Sequence, residues 1–229
     1  MSAKSSLIPQ EVSVVVGNVR LHGLLRTPPK AGAVVLFAHG SGSGRLSPRN
    51  NYVAERLGEA GIATLLFDLL TEKEEEIDEL TAELRFDIPL LTERLVAATE
   101  WTFEQPRLKD FAVGYFGAST GAAAALAAAA RIPGIAAVVS RGGRPDLAGA
   151  ALAQVRAATL LIVGGDDHEV LELNRKALEQ MSCEAKLQIV PGATHLFVEA
   201  GALEQVASLA AAWFTSHTET RQSRQGATQ

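Results

Sequence analysis

Short unbroken apolar runs alternate along this chain with longer stretches in which apolar positions recur every three or four residues. The arrangement centres on residues 111–131. There the run Phe111-Ala112-Val113-Gly114-Tyr115-Phe116 meets Gly117-Ala118-Ser119-Thr120-Gly121 and then an alanine-rich segment. That order predicts a strand, a sharp turn and a helix from Thr120 to about Ala130. After Thr120 only Leu126 in the helix is larger than alanine, so it is apolar on every side and suits a buried position close against a sheet. A serine raised on such a turn needs glycine two residues away on either side, where a Cβ would meet the neighbouring backbone.

The rest of the chain repeats the alternation. Glu11 to Arg26 is rich in valine and leucine and broken by Gly17-Asn18, which predicts an N-terminal hairpin. Ala33–Ala38, Ile62–Phe67, Ile135–Ser140, Thr159–Val163 and Lys186–Val190 read as further strands, the most continuously apolar of them suited to a sheet covered on both faces. Between them, Ser47-Pro48 starts a helix with Val53, Leu57 and Ala60 on its inner face, and Asp87 with Pro89 starts another with Leu91, Leu95 and Ala98. A short helix is expected around Leu147–Gln154. Val170, Ala177, Leu178 and Met181 mark one more, and Leu203, Val206, Ala210, Trp213 and Phe214 a closing one. Residues 72–83 hold seven acids and one lysine and read as an exposed loop with at most one helical turn, either a plain solvated excursion or a flap over the site.

Strands alternating with helices over most of the chain predict an α/β domain. It has a predominantly parallel sheet of about seven or eight strands, helices on both faces and no large cap. Residues 1–215 form that single domain, and 216–229, which lack large apolar residues, form a tail. With 229 residues and 47% hydrophobic content the core is ample. A formal charge of −5 argues against nucleic acid or an anionic membrane surface as partner. The single cysteine, Cys183, rules out an internal disulfide and reads as a half-buried thiol. Met1 to Gln10 shows no secretion signal and Ala122–Ala130 is too short to span a bilayer, so a cytoplasmic protein is expected. A homodimer is left open.

In parallel sheets the chemistry gathers beyond the carboxyl ends of the strands. His39, Ser119, Asp166 with Asp167, and His195 each follow a predicted strand, so the topology delivers all of them to one edge. The chemistry they permit is acyl transfer. A serine hydroxyl needs a base during attack, and a neutral imidazole is matched to that task. His195 is the base, oriented by an acid that is either Asp166 or Asp167. The order serine, aspartate, histidine is that of the α/β-hydrolases. No metal-ligand spacing appears, and no cofactor is implied.

From about Gly32 to Phe214 the chain resembles the α/β-hydrolase superfamily, in particular a dienelactone hydrolase-like group with a serine nucleophile. Gly164-Gly165-Asp166-Asp167-His168-Glu169-Val170 matches the pattern that carries the acid, and Pro191-Gly192-Ala193-Thr194-His195-Leu196-Phe197 the one that carries the histidine. The resemblance implies Ser119, Asp167 and His195 as the catalytic set. It also implies an oxyanion hole from the N–H groups of Thr120 and, in the His39-Gly40-Ser41 segment, Ser41. Dienelactone hydrolases proper carry cysteine where this elbow holds Ser119, which points to ordinary carboxylic esters.

The expected function is therefore a carboxylesterase-type serine hydrolase whose partner is a small or medium ester. A thioesterase or acyltransferase, or a ligand-binding protein of the same fold, is the alternative. The glycine-rich loop at 40–44 lacks the Gly-Lys-Ser/Thr ending of phosphate loops. His39 reads as a support for its loop, and His22, His168 and His217 as surface residues, the last of them in the tail. Arg45, Arg141 and Arg144, with Arg49, reach the same edge. They either form a substrate-binding pocket for a second, anionic group or pair with Asp68, Asp146 and the acidic stretch.

Overall fold

Apolar side chains on both faces of β3 (Ala33–Ala38) explain why that strand lies in the middle of the sheet: Val34, Leu36 and Ala38 join one core cluster, Val35 and Phe37 the other. Each fully buried side chain of this size contributes about 1.5–3 kcal/mol relative to exposure, so the two-sided pattern excludes an edge position. The computed structural model describes residues 8–218. Its eight strands also include β1 (Gln10–Val16), β2 (Val19–Arg26), β4 (Ala63–Phe67), β5 (Ala112–Ala118), β6 (Ala137–Arg141), β7 (Ala158–Gly164) and β8 (Ala185–Val190). They lie in the order β1-β2-β4-β3-β5-β6-β7-β8. The hairpin β1–β2 and the β2–β4 pair are antiparallel, and every other pairing is parallel.

Helices α1 (Pro48–Glu59) and α6 (Ala202–His217) cover one face. On the other lie α3 (Ile88–Glu104), α4 (Thr120–Arg131) and α5 (His168–Gln180), together with a 3-10 segment, Pro145–Gln154, that kinks at Gly149. Nine of the twelve residues of α4 are buried, as its alanine content requires. Tyr115, fully buried on β5, keeps its hydroxyl satisfied by Thr99 Oγ1 of α3 at 2.7 Å. Among the described residues no helix is long and apolar enough to cross a membrane.

The acidic stretch is not a loop. Glu72–Thr81 forms a ten-residue helix, α2, opened by a capping box in which Thr71 Oγ1 takes the Glu74 N–H and Glu74 Oε2 takes the Thr71 N–H at 2.7 Å. Arg94 of α3 holds Glu74 at 2.7 Å, and Arg85, in a 3-10 turn over Leu84–Phe86, holds the buried Asp78 at 2.7 Å. Cations outside the stretch thus neutralise acids within it. Smaller departures have local causes. Ala60 is the exposed C-cap of α1, Met181 lies just beyond α5, and β6 begins at Ala137. Helix α6 runs through His217, whose ring packs on Trp213 with centroids 4.2 Å apart, so His217 is neither in a tail nor fully exposed. The remainder of the expected tail, 219–229, lies outside the described residues.

Candidate active site

At the carboxyl end of β5 the chain turns through Ser119 with φ +50° and ψ −121°, a left-handed conformation that costs a non-glycine residue roughly 1–2 kcal/mol. The neighbours hold it there. Its N–H donates to Arg141 O at 3.2 Å, and its carbonyl accepts from Ala122 N and Arg144 N at 3.1 Å each. The two flanking glycines answer to close contacts. A Cβ at Gly117 would come within 2.4 Å of Ala122 Cα, and one at Gly121 within 2.2 Å of the Ala38 carbonyl oxygen. The elbow is therefore wedged between the first turn of α4 and the end of β3.

Asp167 follows β7, and His195 follows β8. His195 Nδ1 and Asp167 Oδ2 are 2.7 Å apart. An ionised carboxylate only accepts, so Nδ1 carries the proton and Nε2 of the neutral ring is left as a base. Asp166, by contrast, is exposed, and its backbone N–H ties the loop to Ala193 O at 3.0 Å while Gly165 N bonds Val190 O at 2.8 Å. These two bonds clamp the aspartate loop to the histidine loop. The turn after β6 reaches both halves of the site: Arg141 and Arg144 bond the Ser119 backbone, and a Cβ placed on Gly142 would stand 3.5 Å from His195 Cε1. No hydrogen bond joins Ser119 Oγ to His195 Nε2 in this structure.

His39 has both ring nitrogens occupied. Nε2 accepts the Leu69 N–H at 2.9 Å, so Nδ1 is the protonated nitrogen and donates to Gly40 O at 3.0 Å. Burial holds the imidazole below its ordinary pKa and therefore neutral. It braces the loop after β3 and is unavailable as a base. In that loop Ser41 Oγ lies 3.2 Å from Thr120 Oγ1, joining the two residues expected to donate to an oxyanion. Neither residue's N–H donates to a backbone carbonyl. Beside them opens a cleft of about 490 Å³ walled by Ser41, Arg45, Arg49, Glu75, Arg85 and Thr120, among others. Ser119 and His195 are not in its walls; it adjoins the elbow through Thr120 and Gly40. Helix α2 supplies one side of it. Burial, then repulsion from Asp68 and Glu79, raises the Glu75 carboxyl above the usual range.

The arginines divide. Arg45 pairs with Asp68, and Arg144 grips Asp146 through Nε at 2.9 Å and Nη2 at 2.7 Å, so both are matched by acids. Arg141 is 8% exposed, and the one hydrogen bond of its guanidinium is to Asn50 Oδ1 at 3.4 Å. Sequence reasoning missed Asn50; its only signal was a polar residue on the inner face of α1. His168 is exposed, His22 likewise, and Cys183 is half-buried with Sγ 3.9 Å from Thr159 Oγ1. Among the described residues no group of three His, Cys, Asp or Glu side chains is placed to hold a metal ion.

Comparison with known proteins bears on the fold and the family. The model of the dienelactone hydrolase family matches residues 21–220. A crystal structure of dienelactone hydrolase from Anabaena variabilis ATCC 29413 is 59% identical and superposes with a TM-score of 0.90, covering 92% of this chain and 99% of that one. Est1E from Butyrivibrio proteoclasticus, 16% identical, shares the fold with a TM-score of 0.74 over 90% of this chain and 98% of its own. A Mycobacterium tuberculosis (strain H37Rv) protein named "Putative phosphoribosyl transferase" is 56% identical over 218 residues, 94% of this chain and 48% of its own length. The chain thus spans about half the length of the curated relatives it matches. With an α/β-hydrolase sheet, a serine elbow and a family match over nearly its whole length, the chain belongs to the dienelactone hydrolase family.

Proposed function

We propose that the chain hydrolyses small or medium carboxylic esters through an acyl-enzyme on Ser119. The observation that carries the reading is the 2.7 Å contact between Asp167 and His195 Nδ1, which leaves Nε2 basic at the sheet edge that also holds the strained Ser119. In the reaction Ser119 Oγ attacks the ester carbonyl while His195 Nε2 takes its proton. Negative charge gathers on the former carbonyl oxygen, where the N–H groups of Thr120 and Ser41 can receive it; each donor of this kind contributes about 3–4 kcal/mol to lowering the barrier. His195 then gives its proton to the departing alkoxide. Water, deprotonated by the same imidazole, attacks the acyl-enzyme, and collapse returns the proton to Ser119 and releases the acid. Asp167 stays ionised and stabilises the imidazolium formed in each half. The bond between base and nucleophile commonly tightens only when substrate is in place.

Thioester cleavage and acyl transfer use the same apparatus with a different leaving group or acceptor. The phosphoribosyl transferase name describes a relative about twice as long, and none of the side-chain arrangements above calls for that chemistry. A fluorophosphonate probe tests the central step. The folded protein should take up one equivalent at Ser119, and Ser119→Ala and His195→Ala should label poorly. A folded wild-type protein that stays unlabelled would leave a ligand-binding role in place of the enzyme. A panel of esters and thioesters graded by acyl length then reads the leaving-group preference.

A further inference from the structure

A buried hydroxyl has one proton to give and needs an acceptor for it. Thr120 opens α4 directly after Ser119 and is 2% exposed, whereas Ser41, in the loop after β3, is exposed. Their side-chain oxygens lie 3.2 Å apart, and among the described residues neither oxygen has another hydrogen-bond partner. Two hydroxyls that share one bond leave one proton over, and burial decides which. If Ser41 donated, the Thr120 proton would face no acceptor in a place closed to water and would carry the full desolvation penalty. Thr120 therefore donates and Ser41 Oγ accepts. The Ser41 proton is left free on the exposed side, in the cleft that both residues wall.

That proton stands close to the nucleophile. Gly40, the residue before Ser41, runs so near the elbow that a Cβ placed on it would come within 3.0 Å of Ser119 Cβ and 3.1 Å of the Ala118 carbonyl oxygen. His39 holds this approach, with Nδ1 bonded to Gly40 O at 3.0 Å and Nε2 to the Leu69 N–H at 2.9 Å. A hydroxyl that donates to an oxyanion makes a charge-assisted bond, stronger than one to the uncharged carbonyl that precedes it. We infer that the Ser41 hydroxyl is a third donor to the oxyanion formed when Ser119 attacks, aimed there by the hydroxyl of Thr120. Ser41 keeps its proton throughout: the Ser119 proton passes to His195 Nε2, and the carbonyl π electrons move onto the oxygen that receives the bond. Ser41 is then a catalytic residue through its side chain as well as its N–H, and Thr120 Oγ1 is a positioning group. The inference rests on the hydrolase proposed above. The two backbone donors of that reading need no hydroxyl at either residue, so the pairing of Oγ with Oγ1 is an observation they do not account for.

Hydrolysis of 4-nitrophenyl butyrate and inhibition by an alkyl trifluoromethyl ketone test it together. The ketone takes Ser119 Oγ onto its carbonyl carbon, with the serine proton going to His195, and so presents an alkoxide where the oxyanion forms. Ser41→Ala should lower kcat roughly 10- to 100-fold, the weight of one hydrogen bond to a charged group, with KM within about twofold of wild type. Inhibition by the ketone should weaken by a similar factor, and Ser41→Thr should recover part of both. Thr120→Val keeps the shape but not the orienting proton. It should lower kcat by roughly three- to tenfold in the wild-type background and no further in Ser41→Ala, as a group acting only through Ser41 must. If circular dichroism shows Thr120→Val unfolded, the two Ser41 variants decide. Unchanged kcat and ketone inhibition in Ser41→Ala, where the wild type turns over the ester, overturn the third donor and leave the hydrolase. A raised KM at unchanged kcat makes the hydroxyl a contact to the bound ester alone and overturns the inference as well. Losses that add in the double variant overturn the aiming role of Thr120. A folded wild type that neither hydrolyses the ester nor binds the ketone removes the hydrolase itself, and the third donor with it.

Discussion

Adding one methyl group at Gly121 tests how tightly the elbow is wedged. Gly121 is the second residue of α4 and its backbone is helical, so alanine meets no conformational strain there and gains about 1 kcal/mol of helix propensity. The cost is purely steric. The new Cβ would stand 2.2 Å from the carbonyl oxygen of Ala38 and 2.4 Å from that of His39. Both are backbone atoms at the end of β3, and restoring ordinary contact means opening roughly 1 Å between helix and strand. Overpacking of this kind costs about 1–3 kcal/mol, and more when backbone must move. After the helical gain, a net loss of about 2 kcal/mol is expected, or about 4–8 °C in Tm for a domain of this size. The displaced His39 carbonyl also leads directly into Gly40-Ser41, so fluorophosphonate labelling should slow by about tenfold or more, one misplaced oxyanion donor being enough. Gly134→Ala is the contrast. It has φ +88° and open space around it, so it should cost about 1 kcal/mol through its backbone alone and leave labelling unaffected. A Gly121→Ala protein that melts within a degree of wild type and labels at the same rate would refute the close approach.

Two further outcomes follow from the site. Asp167→Asn should lower kcat by about 10⁴-fold, the effect of presenting imidazole in the wrong tautomer, whereas Asp166→Asn, at an exposed position, should lower it less than about tenfold. Steady-state kinetics with 4-nitrophenyl butyrate separates them, and equal losses would undo the choice of acid. His39 sets a pH dependence of stability. Its folded pKa lies below its ordinary 6.5, so as pH falls the unfolded chain takes up the proton first. This contribution is complete above about pH 6.5 and declines below it, with a slope of at most about 1.4 kcal/mol per pH unit. Urea midpoints between pH 7.5 and 5 should show the decline. It should flatten in His39→Gln, whose carbonyl can still accept the Leu69 N–H but does not titrate; an unchanged slope would remove His39 as its source.

The strands and the elbow were legible in the sequence because local pattern and tertiary position agree there. A run such as Val34–Ala38 can only be buried on both sides, and glycines at 117 and 121 around a serine have few other uses. Helix α2 was misjudged for the opposite reason. Its excess of acids argues against a helix when charge is counted locally, while Arg85 and Arg94, which offset it, lie outside the stretch. The capping box of Thr71 and Glu74 was the local signal that could have reversed that reading. The arginines show a third case. Sequence placed them all at one edge but could not say which would be matched, because Arg144 turns to its own neighbour Asp146 while Arg141, three residues earlier, is buried under α1.

The placement of His195 raises a question of reach that topology alone does not answer. Strands β5 and β8 are separated by β6 and β7, so the end of β8 lies roughly 14 Å from the strand that carries Ser119. The link from Pro191 to His195 does not run straight: Ala193 N–H turns back to Val190 O at 3.3 Å and Ala193 O takes the Asp166 N–H at 3.0 Å, so the chain crosses the end of β7 on its way to His195. Something has to fix its far end. Among the described residues four non-glycines have left-handed backbones; Lys30 and Ala82 are exposed, while the other two are Ser119 and Phe197. Phe197 is 2% exposed, and a Cβ placed on Gly142 would stand 3.4 Å from its ring and 3.2 Å from the His195 carbonyl oxygen. Burial of an aromatic side chain offsets the roughly 1–2 kcal/mol of left-handed strain and pins the loop above β6. The strained serine and the strained phenylalanine thus bear on the same turn, Arg141–Arg144. That turn, together with the bonds from Gly165 and Asp166 to the histidine loop, therefore bears on how far the imidazole stands from the elbow.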